Sequence, residues 1–379
     1  MRFETRCIHS GQQPDELTGA VTVPLYQTST YQQQAIGKHK GYEYSRTGNP
    51  TRTALETALA ALEGGKFGLT FASGVAATAA VFSLLKQGDH IVAGDDMYGG
   101  TYRLLEKIFQ KWAIKTAYFD VDKIESFPKA ISKNTKLIWI ETPTNPLLKI
   151  VDIKKIVSTA KKKKIPVAVD NTFASPYFQR PLELGADIVV HSTTKYIGGH
   201  SDIIGGAVIV NDEKIYSDLK FYQNAAGAVP SPFDCWLTLR GIKTLPVRMK
   251  AHEENAAFLS NYLVKHPKVE RIFYPGLKAN KGYRLAKKQM SGFGAMISLE
   301  LKGQKRDVDK FLSRLKLFIL AESLGGVESL VSCPARMTHS SMPVEERLKR
   351  GITDNLIRLS VGIENKEDLK ADLDFALSF

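Results

Sequence analysis

The chain has 379 residues, 43% hydrophobic and 24% charged, with a formal net charge of +13. That length exceeds one ordinary core and favours two domains, and no apolar run approaches the roughly 20 residues that span a bilayer. Cys7, Cys235 and Cys333 stand far apart with no C-x-x-C pair, which argues against a disulfide framework or a metal centre and suits a reducing, cytoplasmic compartment.

The opening residues, MRFETRCIHSGQQ, contain no apolar stretch of a secretory leader. Residues 1–50, rich in Gln, Thr, Tyr and Gly, show little periodicity and read as an extended arm. From 51 to 240, short β-prone runs alternate with segments of helical period: FGLTFA, HIVAGD, KLIWIE, PVAVDN, DIVVHS and GGAVIV. Runs apolar on both faces with helices between them predict a largely parallel sheet. One intervening helix carries Ile153, Ile156, Val157 and Ala160 as an apolar stripe and closes on four lysines, 161–164. Cations in a last helical turn suit the helix dipole. No aromatics interleave them, so the basic charge reads as a solvated surface rather than a nucleic-acid site. Beyond residue 240 the texture changes. A long helix with Phe258, Leu259, Tyr262 and Leu263 on one face is followed by the strand-like VERIFYPG, GAMISLEL and LIRLSVG. A last helix, capped by Asn365, repeats Leu369, Leu373 and Leu377 every fourth residue. Residues 241–379 thus read as a second, smaller α+β domain.

Polar residues collect at the carboxyl ends of the apolar runs, the edge at which open α/β sheets bind ligands. Lys195 follows DIVVHS in a hydroxyl-flanked setting. Burial lowers the proton affinity of a lysine, and the neutral amine can form a Schiff base with an aldehyde. Ser192-x-x-Lys195 also fits the S-x-x-K of acyl-enzymes, but that motif needs a serine at a helix start and companion S-D-N and K-T-G motifs. Here a strand runs into glycines and the companions read SDI and KTL, so that reading fails. Asp170 ends PVAVD, where a carboxylate is costly without a partner. A pyridinium nitrogen is one such partner; a cap on the following turn, NTFASP, is the other use. Gly74 lies between a strand and an apolar helix, where backbone N–H groups bind phosphate, and Ser192 and Thr194 offer hydroxyls. Tyr98, in DDMYGGTYR, suits stacking on a flat ring or packing at an interface. Together the amine, carboxylate, phosphate turn and tyrosine describe a site for pyridoxal 5'-phosphate, which no one of them does alone.

The stretches YEYSRTGNPT, SGVAA, DDMYGGTYR, ETPTNPLLKI, VDNTFASPYFQRPLELGADIVVHSTTKYIGGHSD and AESLGGVESLVSCPARMTH…LIRLSVGIE resemble the Cys/Met-metabolism family of pyridoxal-phosphate enzymes over essentially the whole chain. Within it the chain is most similar to cystathionine γ-lyases and γ-synthases. The resemblance implies an α/β fold of the aspartate-aminotransferase type (fold type I). Its mostly parallel, seven-stranded sheet would lie in a cofactor-binding domain, 51–240, ahead of the smaller substrate domain. It implies Lys195 as the Schiff-base lysine and proton shuttle, Asp170 as the pyridine-nitrogen partner and Tyr98 as the stacking ring. Gly74 and Val75 would offer backbone amides to the phosphate, with Ser192 and Thr194 adding hydroxyls. Many relatives carry Met at the position of Val75, a change of little consequence for a backbone donor. Tyr44 and Arg46 match arm residues that reach the phosphate of a neighbouring subunit. Arg358 matches the clamp on the substrate α-carboxylate, with Asn145 and Ser323 as helpers. Glu322 matches an acidic position that meets the distal amino group of cystathionine. The implied reaction is γ-elimination of L-cystathionine, with γ-synthase and β-lyase activities as alternatives. The implied assembly is a homotetramer, a dimer of dimers with shared sites, acting on a small amino acid and binding neither nucleic acid nor membrane.

Overall fold

The computed structural model describes residues 1–340 and 342–379. The six apolar runs between 51 and 240 all form strands of one sheet, joined by a seventh. The strands are β1 (Phe67–Phe71), β2 (His90–Gly94), β3 (Lys115–Phe119), β4 (Thr135–Glu141), β5 (Val167–Asp170), β6 (Ile188–Ser192) and β7 (Gly206–Val210). Their order is β1-β7-β6-β5-β4-β2-β3. β7 runs antiparallel to both neighbours and the other pairs are parallel. The sequence reading missed β3, KTAYF, because it is the edge strand and only Phe119 is fully buried.

Helices clothe both faces of this sheet, as parallel strands require. Helix Gly74–Phe82 packs Ala77, Ala80 and Val81 against Leu69, Val190 and Val208. On the opposite face, helix Ile153–Lys162 turns its predicted stripe toward Ile138, Ile140, Val167 and Val169. Its Asp152 cap accepts from Lys155 N at 2.9 Å, and lysines 161–164 are exposed, as a solvated helix end should be. Helix Pro50–Glu63 packs Leu55, Leu59 and Leu62 toward Val189, Ala207 and Ile209.

The second sheet consists of β8 (Val269–Phe273), β9 (Met296–Leu301), β10 (Ile319–Leu320), β11 (Leu330–Ser332) and β12 (Leu356–Ser360), in the order β10-β11-β12-β9-β8. Only the β10–β11 pair is parallel. Leu259 and Leu263 of helix Leu245–Leu263, with Leu369, Leu373 and Leu377 of helix Lys366–Leu377, pack on Ile297, Leu299, Ile357 and Leu359. The same core takes in Phe173, Phe178 and Tyr196 from the loops behind β5 and β6, so the second sheet sits against the carboxyl edge of the first. The residue 240/241 boundary falls inside helix Pro232–Ile242.

The arm departs from its expected form at its start. Phe3–His9 is helical, with Cys7 fully buried and the Phe3 ring 5.6 Å from that of Tyr177. The extended part begins after that helix and is largely exposed through residue 48. Among the described residues no helix is long and apolar enough to cross a membrane.

Candidate active site

Side chains alternate across a strand, and at the ends of β5 and β6 this alternation sorts the chemistry. Asp170, Thr172 and Ser192 belong to one face. Asp170 Oδ1 accepts from Thr172 N at 3.0 Å, and Thr172 Oγ1 accepts from Ser192 N at 2.9 Å. Burial raises the Asp170 carboxyl above its ordinary value, against the lowering by the Thr172 hydrogen bonds. A carboxylate so placed gains from a cationic partner.

Beside Ser192 begins helix Gly74–Phe82. Ser73 caps it by accepting from Ala76 N at 3.0 Å, which leaves the N–H groups of Gly74 and Val75 without a partner inside the helix. A Cβ on Gly74 would sit 2.7 Å from Ser192 Cβ and 2.9 Å from Ser192 Oγ. Only glycine allows the helix start and that hydroxyl to converge. The Thr194 hydroxyl donates to Gly205 O at 3.2 Å and accepts from Gly205 N at 3.0 Å, shaping the turn that carries Lys195.

Lys195 is partly buried, and its Nζ donates to Ser323 Oγ at 2.8 Å. Burial, then the nearby Arg358 charge, pull its amine down to about 8, with Glu322 opposing. Ser323 stands at φ 122°, a strained conformation for a residue with a side chain. Its carbonyl accepts from Arg358 Nη2 at 3.2 Å, while Arg358 Nη1 donates to Asn145 Oδ1 at 2.8 Å. Arg358, on β12, is 2% exposed and forms no ion pair among the described residues; burial lowers its guanidinium to about 10. A buried guanidinium held by neutral acceptors is ready for a carboxylate. Glu322 is exposed at the mouth, and its charge acts on both Lys195 and Arg358.

Tyr98 is half-buried, and its N–H donates to Glu141 Oε2 at 2.8 Å. Gly100 makes room for the ring, because a Cβ there would lie 2.3 Å from Tyr98 Cε1. Glu141 escaped the sequence reading. It pairs with Asp170 in register, and burial, then Asp170, push its carboxyl well above the usual range. Its signal was available: like Asp170, it closes an apolar run, KLIWIE, with a carboxylate. Tyr44 and Arg46 stay apart from this cluster. Arg46 Nη1 donates to Asn224 O at 2.6 Å and its guanidinium lies over the Tyr44 ring, 5.4 Å from the centroid.

The family described as "Cys/Met metabolism PLP-dependent enzyme" matches residues 4–378. The chain belongs to the Cys/Met-metabolism family of pyridoxal-phosphate-dependent enzymes. Its relatives within the family carry three different activities. A cystathionine γ-lyase of Bacillus subtilis is 54% identical over 377 residues, covering 100% of this chain and 99% of the relative. A cystathionine β-lyase of Coxiella burnetii is also 54% identical, covering 99% and 97%. The crystal structure of the cystathionine γ-synthase of Xanthomonas oryzae pv. oryzae, in complex with cystathionine, superposes with a TM-score of 0.98 at 44% identity, covering 100% of this chain and 98% of that one. The fold is therefore that of the fold-type-I members, and the cofactor of this family member is pyridoxal phosphate. The residues present fit that cofactor. A low-affinity amine, a carboxylate in want of a cation, two helix-start amides next to a serine, and a tyrosine with cleared space are the donor set its aldehyde, ring nitrogen, phosphate and ring face need.

Proposed function

We propose that this family member is a cystathionine γ-lyase, converting L-cystathionine and water to L-cysteine, 2-oxobutanoate and ammonia. The observation that carries the proposal is Glu322, an acidic group at the mouth whose charge is felt by both the clamp Arg358 and the amine of Lys195. A cystathionine held by its α-carboxylate at Arg358 presents its distal ammonium group toward that carboxylate.

When bound, pyridoxal phosphate supplies an electron sink for negative charge at the substrate Cα. Asp170 holds the ring nitrogen protonated, the amides of Gly74 and Val75 with the Ser192 hydroxyl take the phosphate, and the Tyr98 ring covers the face. Arg358, steadied by Asn145 and the Ser323 carbonyl, orients the α-carboxylate. Lys195, as a neutral amine, removes the proton at Cα, and the Ser323 hydroxyl that it contacts holds its Nζ toward that atom. Lys195 serves as the base a second time: having released the first proton to the bound cofactor, its neutral amine takes one from Cβ, and the Cγ–S bond breaks with its electron pair leaving on sulfur. The same amine delivers a proton to the departing sulfur, so cysteine leaves as the thiol. Water then releases ammonia and leaves the keto acid. The exposed arm supports a further part of the proposal: Tyr44 and Arg46 complete the phosphate site of a neighbouring subunit in a cytoplasmic homotetramer built as a dimer of dimers.

A γ-synthase would use the same groups to join cysteine to an O-acylhomoserine. The test is a product assay on the purified holoenzyme, with cystathionine alone and with O-acylhomoserine plus cysteine. 2-Oxobutanoate and cysteine as the faster outcome supports the lyase. Pyruvate with homocysteine would assign a β-lyase, and faster formation of cystathionine a γ-synthase; either overturns the proposal.

A further inference from the structure

On the face of the large sheet opposite Asp170 and Ser192, three buried polar side chains converge. Glu63 ends helix Pro50–Glu63, and its side chain is 1% exposed, as is that of His191. Glu63 Oε1 accepts from Asn171 Nδ2 at 2.8 Å and lies 2.5 Å from His191 Nε2. Asn171 is fully buried; its Nδ2 also donates to Gln179 O at 2.7 Å, and its Oδ1 accepts from Gln179 Nε2 at 2.9 Å. One carboxylate oxygen therefore grips the end of β5 through Asn171 and the end of β6 through His191.

Strand alternation places those two residues between the ones that carry the chemistry: Asn171 lies between Asp170 and Thr172, and His191 immediately precedes Ser192. The arrangement is costly. Glu63 Oε2 and His191 Nδ1 are buried with no hydrogen-bond partner among the described residues, and unpartnered buried polar atoms destabilise a fold. Apolar side chains would fill this core at least as stably. What they would not provide is a fixed separation and orientation of two strand ends.

We infer that Glu63 is a positioning residue, which through Asn171 and His191 sets the ends of β5 and β6 so that Asp170 meets the ring nitrogen and Ser192 the phosphate of pyridoxal phosphate. The inference rests on the assignment of Asp170 and Ser192 to the cofactor. The carboxylate acts by its grip on two donors, so a side chain of the same reach with an acceptor oxygen replaces it.

The test measures pyridoxal phosphate affinity by titration of the cofactor-free protein, and the pH titration of the visible band of the loaded enzyme. Glu63→Ala is expected to weaken cofactor binding about tenfold and to displace the midpoint of the band. Glu63→Asp keeps the charge, falls one methylene short and behaves the same way; it carries the test where Glu63→Ala does not fold. Glu63→Gln retains the acceptor and restores both readouts. Wild-type affinity and band titration in Glu63→Asp, even with a lowered melting temperature, would overturn the inference, as would a Glu63→Gln as impaired as Glu63→Asp. Asp170→Asn separates this from the underlying assignment. If it disturbs both readouts while Glu63→Asp does not, only the positioning role fails; if it disturbs neither, the assignment of Asp170 fails.

Discussion

The strand-end cluster and the arm both carry residues implied for one cofactor, yet they are held in different ways. Asp170, Ser192 and Lys195 stand on backbone whose neighbours are buried and bonded, with Thr172 linking β5 to β6. In the arm, Leu17 is 91% exposed, Val21 78% and Ile36 103%. Within one chain the strand-end cluster is held by buried neighbours, and Arg358 is held by Asn145 and the Ser323 carbonyl. The arm between its first helix and residue 48 is largely exposed on the single chain, which fits the proposal that it lies on a second copy.

The largest effect tests that contrast directly. Lys195→Ala is expected to lose turnover below detection while the fold persists, since the proposed base and the covalent anchor are removed together. Arg46→Ala should be impaired through poor cofactor retention. If the arm serves a neighbour, mixed oligomers of the two variants assemble some sites with both residues intact and recover part of the wild-type rate. Hetero-oligomers verified by mass that show no recovery would confine Arg46 to its own chain.

Next in size is Arg358→Lys, which keeps the charge and loses the fork. A charge-assisted hydrogen bond contributes roughly 1.5–3 kcal/mol, so kcat/KM should fall about 10- to 100-fold, with cofactor affinity unchanged. A matching loss of cofactor would move Arg358 from the substrate side to the floor of the site.

The amine of Lys195 gives a pH test of the floor. Burial and the Arg358 charge lower it to about 8, so the neutral, nucleophilic form prevails above that pH and falls about tenfold per unit below it. The rate of cofactor incorporation into the cofactor-free protein should rise with pH and level off above about 8. A rate still climbing toward the ordinary lysine value of about 10.4 would mean that the amine is more solvated than its burial implies.

The contrast also explains what the sequence disclosed. Lys195, Asp170, Gly74 and Tyr98 were legible because each stands at the end of a strongly apolar run, where position and chemistry reinforce each other. Glu141 obeys the same rule and was overlooked. Glu63, His191 and Thr172 were not legible, because their meaning depends on which strand ends become neighbours, and β5 and β6 pair only in three dimensions. β3 lies at a sheet edge, where exposure leaves only Phe119 buried, and β10 is apolar but only two residues long, too short to show a strand period. The first helix left a faint trace in the spacing of Phe3 and Cys7, both on its docked side.

Glu322 gives the smallest effect and bears on substrate choice. It neighbours Ser323 yet is exposed in the single chain, and an exposed ion pair contributes only about 0–1 kcal/mol. A neighbour's arm closing over the mouth would exclude water and raise that contribution toward the roughly 1.5–3 kcal/mol of a desolvated charge-assisted bond. Glu322→Ala should therefore lower kcat/KM for cystathionine by about tenfold and leave homocysteine, which has no distal ammonium, nearly untouched. High salt separates the two settings, because screening acts on exposed pairs more than on covered ones. A wild-type rate on cystathionine that is insensitive to salt and sensitive to Glu322→Ala places the contact under the arm. Equal losses on both substrates would show that Glu322 supports the strained turn at Ser323 rather than substrate selection.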